Sequence, residues 1–261
     1  MPPRPLLLAA LALAPLLTGL AGCGGTTRDP QMAMLVALSD RPADQRRAAL
    51  TRVARSPDRG RVWARDGYRS IALLDADPST RCVALRALGE LDTPDIVDVA
   101  WRILNHTRTD AGRVRMPDEQ VRWEATRGLA DRLAGGRVPE DWHDRVRTTL
   151  LDRLRLDSAR QVRLEAARGL GGCAGDRDVV LALIAALDDR DFAVAYECEE
   201  ALVRLTGYTQ GASSSAWQAW LAEHEGDLFA RAGQMPHERQ ARQRNPWEKA
   251  RRDTRRFFGL E

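Results

Sequence analysis

Residues 159–171, Ala159-Arg160-Gln161-Val162-Arg163-Leu164-Glu165-Ala166-Ala167-Arg168-Gly169-Leu170-Gly171, decide the fold. Val162, Ala166 and Leu170 recur every fourth residue, so a helix places them on one face as an apolar stripe. The small Ala at the centre of the stripe lets a neighbouring helix approach closely. The same pattern, an Arg, an Ala three residues on and an apolar residue four later, returns along the chain. It is carried by Arg46, Ala49 and Val53, by Arg81, Ala84 and Leu88, and by Arg122, Ala125 and Leu129, with Arg163, Ala166 and Leu170 as the fourth copy. A fifth, degenerate copy keeps Ala195, Cys198 and Leu202 in register. From Ala49 through Ala84, Ala125 and Ala166 to Cys198 the steps are 35, 41, 41 and 32 residues, and periods of this size mark helical-repeat architectures.

Second amphipathic stripes lie between the copies. Ile96, Val99, Ala100, Ile103 and Leu104 form one, Val146, Leu150 and Leu154 another, and Val179, Val180, Leu183, Ile184 and Leu187 a third. Neither helix of such a unit buries its apolar face alone, so the units must stack into a continuous core. The expected fold is all-α, an α-solenoid of about five helical hairpins. The polar stretch Thr107 to Pro117, with Arg108, Arg113 and Arg115, reads as an inserted loop, and Gly135-Gly136 as a turn.

The openings Asp77-Pro78-Ser79-Thr80-Arg81 and Asp118-Glu119-Gln120-Val121-Arg122, each leading into the Ala and Leu of the pattern, resemble HEAT-type repeats of the bacterial, phycobilin-lyase-like subgroup. The resemblance spans Ala43 to Thr206. It implies a ladder in which the Asp caps a helix while the Arg reaches the adjacent repeat's Asp or backbone. The capping role also stands on its own physics, since a carboxylate ahead of a helix satisfies free N–H groups and suits the dipole. Asp77, Asp118 and Asp191 each stand four residues before the Arg-type position. The expected ladder joins Arg46, Arg81, Arg122 and Arg163 with these three Asp residues. It is incomplete: Pro42 and Ala159 replace the Asp in the first and fourth copies, and Ala195 replaces the Arg in the fifth.

At the N-terminus, Arg4 precedes a run of small apolar residues from Leu6 to Gly22, a signal-peptide pattern too short and too Pro-interrupted for a comfortable membrane span. The run ends Leu20-Ala21-Gly22-Cys23, which resembles the lipobox of bacterial lipoproteins. That resemblance implies cleavage before Cys23 and acylation of its thiol, with several chains giving a stable membrane anchor. Gly24 is not the Asp that marks inner-membrane retention in many Gram-negative lipoproteins. The expected location is the cell envelope, at the periplasmic face of the outer membrane if there is one.

Formal net charge is +3, and Lys249 is the only Lys among 40 basic residues. So balanced a chain gives no electrostatic reason to expect a nucleic-acid partner. Beyond Cys23 an odd number of cysteines remains, Cys82, Cys173 and Cys198, which argues against a disulfide framework and for small buried side chains. No catalytic or metal constellation emerges. His106, His143, His224 and His237 are scattered, without the i, i+4 spacing of metal-binding pairs. Deoxyhypusine hydroxylases hold two irons through His-Glu pairs inside such repeats, whereas His224-Glu225 and His237-Glu238 follow the repeats here. An exported chain has no DNA for the glycosylase relatives to repair, and likeness to the phycobilin lyases concerns fold rather than function.

After the repeats, Trp217 and Trp220 share a helix face, either as a hydrophobic cap or as an aromatic platform for a glycan or peptide. From Pro236 the composition turns basic, with Arg251, Arg252, Arg255 and Arg256 beside Trp247, Phe257 and Phe258. Such a tail is either a frayed charged helix or a contact for anionic lipid or an acidic partner. The chain thus divides into a signal peptide (1–22), a lipidated tether (23–30), a solenoid with its cap (31–232) and a basic tail (233–261). The expected function is a membrane-anchored, non-catalytic scaffold for an envelope protein or peptide, with no cofactor or metal. The alternative is a structural envelope component that contacts lipid or glycan through the Trp pair and the tail.

Overall fold

The computed structural model describes residues 29–105, 108–110, 113–234 and 236. Eleven α-helices run through them: α1 (Pro30–Ala37), α2 (Ala43–Ala54), α3 (Val62–Leu74), α4 (Pro78–Gly89), α5 (Asp95–Asn105), α6 (Glu119–Ala134), α7 (His143–Leu156), α8 (Arg160–Leu170), α9 (Arg177–Ala186), α10 (Phe192–Thr206) and α11 (Ser214–Glu223). The fold is an all-α repeat solenoid. Among the described residues no helix is long and apolar enough to cross a membrane.

Side-chain capping starts several helices. The carboxylates of Asp77, Asp118 and Asp191 accept the backbone N–H of Thr80, Gln120 and Ala193, satisfying groups that have no partner inside the helix. At the equivalent places Pro42 and Ala159 provide no side-chain cap. Asp29, Asp176 and Ser213 cap α1, α9 and α11 in the same manner, though the repeat pattern does not single them out.

The helices form two layers. In one, α2, α4, α6, α8 and α10 pack each on the next; in the other, α3, α5, α7, α9 and α11 do so. Between layers, the closest partner of each Ala-bearing helix is the one before it: α1 with α2, α3 with α4, α5 with α6, α7 with α8 and α9 with α10. The hairpins therefore number five, with α11 as an added cap. They begin one helix earlier than the sequence pattern implies, because the signature belongs to the second helix of each hairpin. Helices α1 and α3 carry no obvious repeat signature, yet α3 buries Ala64, Tyr68, Ile71 and Ala72. The loop expected over Thr107 to Pro117 contains a short antiparallel hairpin, Arg108–Asp110 paired with Arg113–Arg115.

Every small residue at the centre of a stripe is buried, Ala84, Ala125, Ala166 and Cys198 completely and Ala49 nearly so. Gly169 carries this logic furthest. A Cβ there would lie 2.7 Å from the Ala130 Cβ and 2.8 Å from its Cα, so α6 and α8 pack backbone to backbone. By contrast, a Cβ at Gly89, the last residue of α4, would meet nothing within 4 Å. Opposite outcomes follow for one substitution. Gly169→Ala is expected to destabilise by about 1–3 kcal/mol through overpacking, whereas Gly89→Ala is expected to stabilise by about 0.4–1 kcal/mol by restricting the unfolded chain. Urea denaturation followed by circular dichroism reads both.

Candidate functional site

One edge of the solenoid is held by a repeated clasp. Arg46 Nε and Nη2 donate to the two carboxylate oxygens of Asp75 at 3.0 and 2.7 Å. Arg122 binds Asp157 in the same fork at 2.9 and 2.9 Å, and Arg163 binds Asp189 at 2.7 and 2.9 Å. The remaining Nη1 of each Arg donates to a backbone carbonyl just before its own helix: Arg41, Pro117, or Asp157 with Ser158. Each Asp also accepts the N–H two residues on, from Asp77, Ala159 or Asp191, which closes a tight turn. One guanidinium thus ties its own turn to the turn of the following repeat.

This ladder differs from the one expected. Its carboxylates are Asp75, Asp157 and Asp189, while Asp77, Asp118 and Asp191 act as caps. Asp77 and Asp191 still receive ion pairs, from Arg47 and Arg160. The electrostatics agree with the geometry. Hydrogen bonding to Asp75, Asp157 and Asp189 raises the pKa of Arg46, Arg122 and Arg163 against the opposing effect of burial. Burial pushes the Asp189 carboxyl up, but the Arg163 hydrogen bond and the Asp191 N–H outweigh it and leave its pKa below the usual value. Burial likewise opposes, and the Thr80 and Arg47 contacts outweigh it, at Asp77.

Between the second and third copies the pattern changes. The position two residues before the capping Asp118 is Met116, and Arg81 donates its Nε to the Ala72 carbonyl at 2.8 Å. A cleft of about 840 Å³ lies here. Leu74, at the end of α3, and Met116 are exposed along it. Its other wall holds Trp101 from α5 and Trp142 from the turn before α7, which meet edge to face with centroids 5.7 Å apart. Arg145 of α7 lies 5.2 Å from the Trp142 ring and 5.8 Å from that of Trp101, a cation–π arrangement that orders both. Asp98, paired with Arg69 and Arg102, and the Asp118 carboxylate supply acceptors. Aromatic and aliphatic walls with a few placed charges suit capture of an apolar side chain together with the polar groups beside it.

Of the two readings of the Trp pair, hydrophobic cap or exposed aromatic platform, burial fits the cap, because both rings are internal. Trp217 is 0% and Trp220 4% exposed. Trp217 donates its indole N–H to the Gly211 carbonyl, and Trp220 stacks on His224 and touches Tyr208. The short Ser-rich turn after α10 folds α11 back onto α9, so both indoles cover the last repeat. Gly207 makes this possible: its φ of 76° is left-handed, and a Cβ would strike the Arg231 carbonyl. Leu20, Ala21, Gly22 and Cys23, and Arg251, Arg252, Arg255 and Arg256 of the tail, lie outside the described residues, as do His106 and His237.

A second depression, between α7 and the start of α9, brings His143 near Cys173. They do not form a nucleophile–base pair. His143 Nε2 is engaged with the Val138 carbonyl at 2.9 Å, and burial pushes the Cys173 thiol up to about 11. Burial acts in the same way on Cys82, to about 11, and on Cys198, to about 12, so all three thiols stay protonated at neutral pH. No group of three or more potential metal ligands exists among the described residues.

The clasp yields two expectations. Asp157→Ala strands Arg122, whose partner is buried with it, and should cost about 3–5 kcal/mol in chemical denaturation, while Asp58→Ala at an exposed pair should change little. Because the folded carboxyls of Asp77, Asp189 and Asp191 sit below the unfolded value, their contribution is complete above about pH 4 and is lost as pH falls further. Thermal midpoints should therefore hold from neutrality to about pH 5 and drop below about pH 4, with a shallower drop in Asp189→Asn. The chain matches no protein-family model and no curated protein.

Proposed function

We propose that this protein is a lipid-anchored, non-catalytic scaffold of the cell envelope that captures a segment of another envelope protein in the cleft between its second and third repeats. The observation that carries the reading is the Trp101–Trp142–Arg145 wall facing the exposed Leu74 and Met116 at the step where Met116 replaces the clasp's Asp. Elsewhere along this edge the clasps close the steps with buried or half-buried ion pairs. The cleft offers apolar contact area, two rigid rings and charges of both signs, which suits an extended peptide with an apolar anchor flanked by polar residues. The HEAT-like repeat signature supports the scaffold role, since stacked hairpins present long surfaces to partners.

The anchor rests on the lipobox-like Leu20-Ala21-Gly22-Cys23, and no nucleic-acid or cofactor role is part of the proposal. With Trp217 and Trp220 internal, the rival reading retains only the basic tail as its contact. Affinity capture from envelope extracts separates the two. Trp142→Ala and Arg145→Glu, both folded by circular dichroism, should lose the captured protein at least about tenfold, while deletion of residues 237–261 should retain it. The opposite pattern would assign binding to the tail and overturn the cleft. Cys23→Ser should move most of the protein out of the membrane fraction, and an N-terminal peptide of the unaltered chain that lacks the acyl mass would make the anchor wrong.

A further inference from the structure

The two ends of the solenoid differ in a way that its stacking does not require. Terminal units of repeat proteins need a polar outer face, because no further repeat covers them. At the C-terminal end α11 meets that requirement: its outward positions are Ser215, Gln218, Ala219, Ala222 and Glu223. At the other end α1 does not. It packs Ala33, Met34 and Ala37 inward against α2 and α3, and turns Met32 and Leu35, with Leu38 at its C-cap, outward at 47%, 61% and 49% exposure. These three recur every third residue and make one apolar strip along a short helix.

The chain itself says what lies beside this strip. Cys23 precedes the helix cap Asp29 by six residues, a span of at most about 20 Å when fully extended. An acyl group on Cys23 therefore holds α1 at the bilayer surface. We propose that the outer face of α1 lies in the headgroup layer of the membrane, with Met32, Leu35 and Leu38 reaching the acyl boundary about 5–10 Å deep, as interfacial helices do. The inference rests on the lipid-anchor reading above. It adds an orientation: the solenoid stands with its first hairpin on the membrane and its later repeats directed away from it. The tethered geometry favours lipid over a second copy, because the lipid is already within reach while a partner copy must find the same face by diffusion.

Position-specific labelling of the acylated chain tests this. Cys82, Cys173 and Cys198 are poorly reactive, so an environment-sensitive fluorophore attaches selectively to Leu35→Cys or, as a control at the far end, to Glu223→Cys. On vesicles of phosphatidylethanolamine and phosphatidylglycerol, the label at 35 should shift to the blue and be quenched by spin-labelled lipid, and the label at 223 should not. A water-like signal at 35 would overturn the proposal. The mature chain with Cys23→Ser should float weakly with the same vesicles, and Met32→Glu, Leu35→Glu and Leu38→Glu together should cut that fraction by about tenfold with an unchanged melting curve. An unchanged fraction would count against α1. Sedimentation velocity covers the remaining case: a dimer broken by Leu35→Glu, with no flotation, would give the face to a second copy. The mass of the N-terminal peptide judges the anchor separately, since a missing acyl mass refutes lipidation whatever α1 does.

Discussion

The structure depends on the forked contact between an Arg near the start of one signature helix and an Asp in the turn before the next. At its most buried occurrence, Arg122 and Asp157 are 9% and 1% exposed. Taking both charges out of water is costly, and such a pair is weak support for net stability. What it supplies is register. The guanidinium plane fixes the angle of the fork, its third donor holds the chain that leads into its own helix, and the carboxylate organises the following turn. Slipping either helix by one residue would break all of these contacts together. Stacked hairpins with only Ala and Leu between them have no comparable polar reference, since apolar contact is non-directional.

Seen from that contact, the cleft is the result of a substitution in the ladder. Met116 cannot accept a hydrogen bond of the same kind, and two paired strands, Arg108–Asp110 and Arg113–Arg115, lie between α5 and α6 where the other steps have the three-residue turns Asp75–Asp77 and Asp157–Ala159. The step keeps its core through the apolar face of α5, and it keeps polar contact away from the cleft through Arg86 and Glu124. At this step Trp101 and Trp142 line the edge.

Much of this was legible in the sequence where a local rule governs it. The Arg, Ala and Leu spacing identifies the signature helices, and capping chemistry picks out Asp77, Asp118 and Asp191. The clasp carboxylates escaped notice because their partner lies a whole repeat away, although Asp75, Asp157 and Asp189 recur two residues before each cap position. Trp101 and Trp142 were missed for a similar reason, yet each follows its copy's small residue, Ala84 or Ala125, by 17 positions. The repeat period was the signal that would have paired them. For Trp217 and Trp220 the spacing was right and could not say which way the helix would turn; the left-handed Gly207 and the fold-back of α11 decide that. Helix α1 has a mixed pattern because both of its faces are apolar, and only the packing distinguishes the covered face from the open one.

The altered step also sets how load passes along the solenoid. At the far end of the same helices, Arg132, in the last turn of α6, donates to the Leu91 carbonyl beyond α4. That side is strapped, while Trp101, Trp142 and Arg145 line the cleft side. The step is thus held by a guanidinium strap at one end of the helices and lined by aromatic rings at the other. Leu74, Trp101 and Arg145 come from three successive hairpins, so an occupant of the cleft would bear on three repeats at once.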